Sequence, residues 1–335
     1  MKLIQHLLLW GVMLSSFSSL AADKLTIYSY RQPFLIDPIL ADFTKQTGIE
    51  VEVVFSKKGI AERMSREGRL SPADVVLTSD FSRLMELVDK GLVTPVNNQH
   101  LNQNIPASFR DPDGNWFALT QRVRNIYSSK AHLGKLDITY EDLADPKFKG
   151  KICTRSGKHP YNVALVASMI AHHGEAKTEL WLQGVKANLA RKPQGNDRAQ
   201  VKAVKEGLCD IALGNSYYFG KMLMDPKQKP WADAVEINFP NQQDRGAHVN
   251  VSGMALAKHS PHQVEAIKLM EFLSSTPAQQ AYATMNMEYP VKADVPASEL
   301  VASWGEFSAD KLPIYQLAQN HQAAVALLDK VKFDL

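Results

Sequence analysis

The order of strand and helix signals in the first third of the chain limits the fold more than any other feature. "KLTIYSY" reads as a strand, and "PFLIDPILADFTKQTG" as a helix with Pro33 near its start and Gly48 just past its end. "IEVEVVFS" is a second strand and "GIAERMSREG" a second helix. "ADVVLTSD" is a buried strand leading into "FSRLMELVDKG", a helix with Ser82 in its first turn. This strand–helix alternation belongs to a mainly parallel, doubly wound sheet. In such sheets ligands sit beyond the C-terminal strand ends.

The remainder repeats the grammar after an interruption. "NWFALTQRVRNIYSSK" alternates with period two around Arg122, Arg124 and Ile126, so both arginines fall on one face of a strand. The turn-rich "DITYEDLADPKFKGKI" breaks the rhythm. Strands and helices then resume in "KICTRS", "NVALVASMIAHHG", "DRAQVKAVKEG" and "CDIALGN", which predicts a second α/β lobe. "AHVNVSGMALA" reads as a strand pair or one long strand with Gly253 inside, and "SPHQVEAIKLMEFLSS" and "TPAQQAYATMN" as helices. At 335 residues the chain is about twice the usual domain length, which agrees with a bilobal body.

The first residues point to export. Lys2 precedes the apolar run Leu7 to Leu14, and small residues follow at Ser19, Ala21 and Ala22. That is the pattern of a secretory signal peptide, with cleavage expected after Ala21 or Ala22. Its apolar core falls far short of the roughly 20 residues that span a bilayer. The rest is expected to be soluble, without stable membrane insertion. The formal charge of +3 is spread along the chain rather than gathered in basic blocks, which argues against nucleic acid as a partner. Cys153 and Cys209 both precede apolar runs, so two neighbouring strands would bring them together. In an exported chain a disulfide is expected, and two separate buried thiols are the alternative.

Tyrosines occupy the positions where chemistry is expected. Tyr217 and Tyr218 follow Ser216, an acceptable N-cap, at the end of the strand "CDIALGN"; Tyr161 follows Pro160 at the opening of another helix. Helix N-termini carry partial positive charge, which favours a phenolate. A tyrosine with a pKa near 10 still needs a strong electrostatic partner to ionise at neutral pH. A ferric ion is such a partner, and three phenolates would balance its charge. A bidentate carbonate would fill two further positions, and arginines would offset the resulting charge of about −2 through paired hydrogen bonds. Arg31 with Gln32, and Arg122 with Arg124, supply such donors. Stacking on sugars or amines, or half-burial with the hydroxyl in water, is the commoner role of an isolated tyrosine pair, and spacing alone does not overturn it.

Other residues offer less. His172 and His173 are adjacent on a helix and cannot share a metal, His159 suits capping, and His248 reads as structural. HExxH, CxxC pairs, EF-hand loops, phosphate-binding glycine loops and the Gly-x-Ser-x-Gly elbow are all missing. Asp80 and Asp244 are candidate carboxylates for a secreted hydrolase, but nothing pairs them. No enzymatic activity is expected.

"YSYRQPFLIDPIL", "SPADVVLTSDFSRLMELVDKGL", "TRSGKHPYNVAL", "GNSYYFGKM" and "RGAHVNVSGMAL" resemble the periplasmic ferric-iron-binding proteins of bacterial ABC importers. The likeness covers nearly the whole mature chain, and the paired tyrosines after "LGN" are its most specific element. The resemblance implies an α/β type II periplasmic binding-protein fold, with two doubly wound lobes joined by crossing hinge strands near Val123 and His248. It divides the chain into a signal peptide (1–22), an N-terminal lobe (23–122, completed by about 247–297) and a C-terminal lobe (123–246, completed by about 298–335). It implies Tyr161, Tyr217 and Tyr218 as ligands of Fe3+ in the cleft. It also implies a monomer that delivers iron to an inner-membrane ABC permease and its ATPase. One subgroup supplies a His-Tyr dipeptide after the first strand, where this chain has Gln32 and Pro33. The chain therefore resembles the subgroup that uses three tyrosines and a synergistic carbonate, held here by Arg31, Gln32 and one or both of Arg122 and Arg124. Tyr30 is a conceivable substitute ligand. A receptor for a polyamine, thiamine or a phosphorylated sugar is the rival within the same architecture.

Overall fold

A computed structural model describes residues 24–335; the expected signal peptide lies outside the described residues. Nine strands form one continuous sheet: β1 (Lys24–Ser29), β2 (Glu50–Phe55), β3 (Val75–Thr78), β4 (Phe117–Ser129), β5 (Ile152–Cys153), β6 (Ile211–Asn215), β7 (Val235–Asn238), β8 (Val249–Leu256) and β9 (Tyr289–Pro290). Their order is β2-β1-β3-β8-β4-β6-β5, with β7 and β9 also paired to β4. β1 pairs in parallel with β2 and β3, and β5 in parallel with β6. Between these two parallel sets run β8 and β4, antiparallel to each other and to their outer neighbours.

The longest strand makes the crossing. The first half of β4, Phe117 to Val123, pairs with β8, and from Arg124 onward it pairs with β6 and β7. Every residue of β4 except Gln121 is buried, so the half-exposed alternation expected of it is overridden by its central position. β8 is one strand rather than a pair. Its Gly253 is required by close approach, because a Cβ there would lie 2.7 Å from the Phe117 carbonyl oxygen.

One helix begins, and another ends, elsewhere than the sequence suggests. The first α-helix, α1 (Asp37–Thr47), starts four residues after Pro33, which instead opens a 3-10 turn over Pro33–Leu35. A second proline, Pro38, is tolerated only in a first helical turn, so the helix has to restart there. α2 (Ile60–Glu67) and α3 (Phe81–Asp89) follow as expected. α4 (Pro160–Ala187) continues beyond Gly174, which takes φ 76° and ψ 165° and breaks it into two helical pieces. α5 (Asp197–Lys205), α6 (Ser216–Met224), α7 (Gln263–Ser274) and α8 (Thr276–Asn286) complete the elements used below.

The apolar core is divided as the sheet is. One cluster centres on β1, β3, α1, α3 and α7; two others surround β6, α4 and α5. Near the C-terminus, Ile314 and Leu317 pack into the first cluster whereas Leu327 and Leu328 pack into the second, so this segment touches both sides. No helix among the described residues is long and apolar enough to cross a membrane.

Cys153 and Cys209 form the expected disulfide, with Cα atoms 6.0 Å apart. It ties β5 to the entry of β6 across a sequence separation of 56 residues. Loop-closure entropy for a loop of that length corresponds to about 4 kcal/mol. Cys209→Ser is accordingly expected to lower the stability measured by urea unfolding by up to that amount, and an unchanged midpoint would show that the bond adds nothing.

Candidate metal centre

The three tyrosines meet at helix N-termini. Pro160 opens α4 with Tyr161 second, and the capping residue is His159, whose Nδ1 accepts a hydrogen bond from the Tyr161 amide at 3.3 Å. Capping was the role expected of His159, and burial pushes its imidazole down to about 3, which keeps it a neutral acceptor. At α6 the capping position falls on Asn215 rather than Ser216. Ser216 is the first helical residue, and its hydroxyl accepts from the Val123 amide at 3.2 Å, pinning α6 to the crossing strand.

The Tyr161 and Tyr217 hydroxyl oxygens lie 3.3 Å apart, and the Tyr217 and Tyr218 rings have centroids 4.1 Å apart. All three phenols line one cleft of about 220 Å³ together with Arg31, Gln32, Arg122 and Glu288. Burial, with the neighbouring phenols adding to it, pushes Tyr217 well above the usual tyrosine pKa; burial raises Tyr218 as well. Both are therefore neutral in the metal-free chain and become anions only against a strong cation.

Arg31 and Arg122 both line the cleft, each only 2% exposed. Arg31 Nη2 donates to Glu288 Oε2 at 2.9 Å, and Arg122 Nη1 lies 3.8 Å from Glu288 Oε1. Arg31 Nε and Arg122 Nε and Nη2 are buried without a partner among the described residues. Such donors normally find an acceptor. Glu288 is the functional residue that sequence reasoning missed; nothing in "MNMEYP" signals a carboxylate turned inward.

Arg124 does not join the cleft, which corrects the expectation that it serves an anion there. Its Nη1 donates to Asp197 Oδ2 at 2.7 Å and to Asn215 Oδ1 at 3.1 Å, and its Nη2 to Asn162 Oδ1 at 2.7 Å. Asp197 in turn accepts from Arg155 Nη1 at 3.0 Å and from the Asn215 amide at 2.9 Å. This buried network joins the residue after Tyr161 to the capping residue ahead of Tyr217. Arg124 thus holds the two tyrosine-bearing helix starts in register through both its Nη atoms, and only its Nε is without a partner among the described residues.

The remaining candidates are placed as follows. Tyr30 lines the cleft, but its hydroxyl accepts from the Ile60 and Ala61 amides at 3.1 and 3.3 Å, so it is engaged at the start of α2. His172 and His173 pair with Asp310 and Glu141, each at 2.6 Å, and His248 is buried next to β8. Asp80 caps α3 and Asp244 pairs with Asn241 and Arg245, both away from the cleft lining.

Two α/β halves, crossing strands between them and a polar cleft where they meet define a solute-binding protein. The sequence profile described as "Bacterial extracellular solute-binding protein" matches residues 71–307, and the chain belongs to that family. Iron uptake protein A1 of Synechocystis sp. is 42% identical, over 92% of this chain and 87% of that protein. The ferric iron-binding protein A of Mannheimia haemolytica, solved in an open conformation, superposes with a TM-score of 0.90 at 53% identity, covering 94% of this chain and 100% of that one. The Trichodesmium protein solved with iron and citrate ligands superposes with a TM-score of 0.88 at 39% identity, covering 92% and 99%.

Proposed function

We propose that this chain captures ferric iron in the periplasm and delivers it, as a monomer, to an inner-membrane ABC permease and its ATPase. The observation that carries the reading is the convergence of Tyr161, Tyr217 and Tyr218 on one cleft, with two hydroxyl oxygens 3.3 Å apart. Isolated phenols do not cluster this way for packing alone, since each brings a polar oxygen to the same point. Three phenolates supply the hard oxygen donors that a ferric ion prefers. The names of the similar proteins, which concern iron uptake and ferric binding, support the same reading.

The cation's remaining positions go to a small anion, with carbonate as the expected one. Arg31 and Arg122 hold it through the donors that have no other partner, and Gln32 adds a further donor at the cleft edge. The tyrosines extend from helices of the C-terminal lobe (123–246, completed by about 298–335). Arg31 and Gln32 extend from the N-terminal lobe (23–122, completed by about 247–297). Filling the site therefore draws the lobes together. A polyamine receptor would line its cleft with several carboxylates, whereas the only one among the described residues here is already paired with Arg31.

Adding ferric nitrilotriacetate to the purified chain should produce the orange-red phenolate-to-iron charge-transfer band, and a colourless mixture would contradict the assignment. Proton release gives an independent check. Because Tyr217 and Tyr218 are raised, each is protonated at neutral pH and must lose its proton to become a ligand. Lowering the pH therefore opposes binding. At least two protons are expected per iron in a pH-stat titration, and affinity should fall by at least about 100-fold for each pH unit below neutrality. Release of none would exclude both phenols as ligands.

A further inference from the structure

Residues 154–159 join β5 to α4 and so carry Tyr161 to the cleft. Within them the Ser156 carbonyl oxygen accepts from the His159 amide and from Asn162 Nδ2, each at 3.1 Å. His159 caps the Tyr161 amide, and the two rings meet edge-on with centroids 4.5 Å apart. Where Tyr161 points therefore depends on where Ser156 sits. Asp334 fixes that position. Its Oδ2 accepts from the Ser156 hydroxyl at 2.6 Å and its Oδ1 from the Gly157 amide at 2.7 Å. Hydrogen bonds to a carboxylate are about twice as strong as neutral ones, and two on one group fix direction as well as distance. The contact between Asp334 and Ser156 joins residues 178 apart in sequence, so no local turn supplies it.

The segment bearing Asp334 is held firmly in turn. The helix His321–Lys330 packs on α4, with Leu327 and Leu328 in the same apolar cluster as Leu165 and with Lys330 Nζ 2.6 Å from Glu179 Oε2. It ends with the Lys332 amide donating to the Asp329 carbonyl at 2.9 Å and the Phe333 amide to the Leu328 carbonyl at 3.0 Å. Such a closure needs a left-handed residue, normally glycine, and here Lys332 takes φ 50°. A lysine in that region costs free energy that its surroundings must offset. Lys186 Nζ contributes by donating to the Val331 and Lys332 carbonyls at 3.0 and 2.7 Å. The turn leaves Phe333 only 5% exposed, and a Cβ on Gly157 would lie 2.7 Å from its Cδ1, so the loop backbone rests directly on this ring.

We infer that Asp334 is a positioning residue of the metal centre: by clamping Ser156 and Gly157 it sets where Tyr161 presents its hydroxyl in the cleft. Arg124 holds Asn162 from the buried network and Asp334 holds the preceding loop, so Tyr161 is fixed on both flanks. A metal's ligand set tolerates displacement of only about 0.5 Å before its geometry is lost. The inference rests on the ferric reading for what Tyr161 binds; the clamp itself requires no metal.

Hydrogen exchange in the metal-free chain reads the clamp. Asp334→Ala should speed exchange across residues 154–162 by about tenfold or more and leave residues 211–218 at the wild-type rate. Equal rates over 154–162 would overturn the inference. Competition against nitrilotriacetate reads the consequence for iron. Asp334→Ala is expected to weaken ferric binding about 10- to 100-fold, the loss typical of removing a ligand's supporting partner. Asp334→Asn keeps both contacts in weaker form, since an amide oxygen accepts from Gly157 and a serine hydroxyl can accept as well as donate. It should stay within about fivefold of the wild type. A role in stability alone would lower the melting temperature of Asp334→Ala and leave the affinity of its folded form unchanged. That result, or an affinity for Asp334→Asn as low as that of Asp334→Ala, would overturn the inference. If Asp334→Ala does not fold, Ser156→Ala removes one of the two contacts from the loop side and should weaken binding at least about fivefold; unchanged affinity would overturn the assignment. Failure of the wild type itself to develop the charge-transfer band would instead strike the ferric reading, and the exchange result would still decide the clamp.

Discussion

Tyr217→Phe and Tyr218→Phe are each expected to abolish most of the charge-transfer band and to weaken ferric binding by more than 100-fold. That exceeds the 10- to 100-fold loss typical when only a supporting partner of a metal ligand is removed. Phenylalanine keeps the ring, so the tilted ring pair at 4.1 Å and the apolar contacts of α6 survive, and only the oxygen is lost. The melting temperature of the metal-free variants should therefore stay close to that of the wild type. Competition titration against nitrilotriacetate measures the loss. Unchanged spectra and affinity in both variants would remove these residues from the site.

The second large effect concerns folding. Asp197 is fully buried and supplies the counter-charge for Arg124 and Arg155 at 2.7 and 3.0 Å. Burial opposes its ionisation, but the two guanidinium groups dominate and hold its carboxyl below the ordinary aspartate range. Asp197→Ala leaves a buried Arg124 without a charge partner and should cost about 3–5 kcal/mol in urea unfolding. The sign of the pH dependence follows from the lowered pKa. This contribution is present above the ordinary aspartate range and is lost as pH falls through the lower folded-state value. The wild type should thus lose stability in acid more steeply than the variant, and parallel acid profiles would mean that Asp197 carries no such term. Since Arg124 also binds Asn162 and Asn215, iron affinity should fall in Asp197→Ala as well.

What could be read from the chain, and what could not, follows the range of the interactions. Strand and helix order in the first third is local, set by periodicity and by Gly and Pro punctuation, and it appears in the structure as β1 to β3 with α1 to α3. Pro38 shows the limit even there, because two prolines compete to open one helix and only the second is compatible with α1. That Tyr161, Tyr217 and Tyr218 line one cleft was legible because each stands at a strand-to-helix junction. The arginines were harder. Alternation put Arg122 and Arg124 on one face, but which guanidinium lines the cleft and which is held away from it depends on Glu288 and Asp197. Asp197 lies 73 residues from Arg124, and Glu288 lies 257 residues from Arg31. No local pattern encodes those pairings. Tyr30 was ambiguous for the same reason, since its hydroxyl is taken by the α2 amides about 30 residues away.

The account turns on one cation shared by three phenols, and a crystal structure of the ferric-loaded chain with iron located by anomalous scattering tests it most directly. The prediction is a single iron bonded to the hydroxyl oxygens of Tyr161, Tyr217 and Tyr218, with a small anion between it and Arg31 and Arg122. Iron found elsewhere, or those rings turned away from it, would contradict the account.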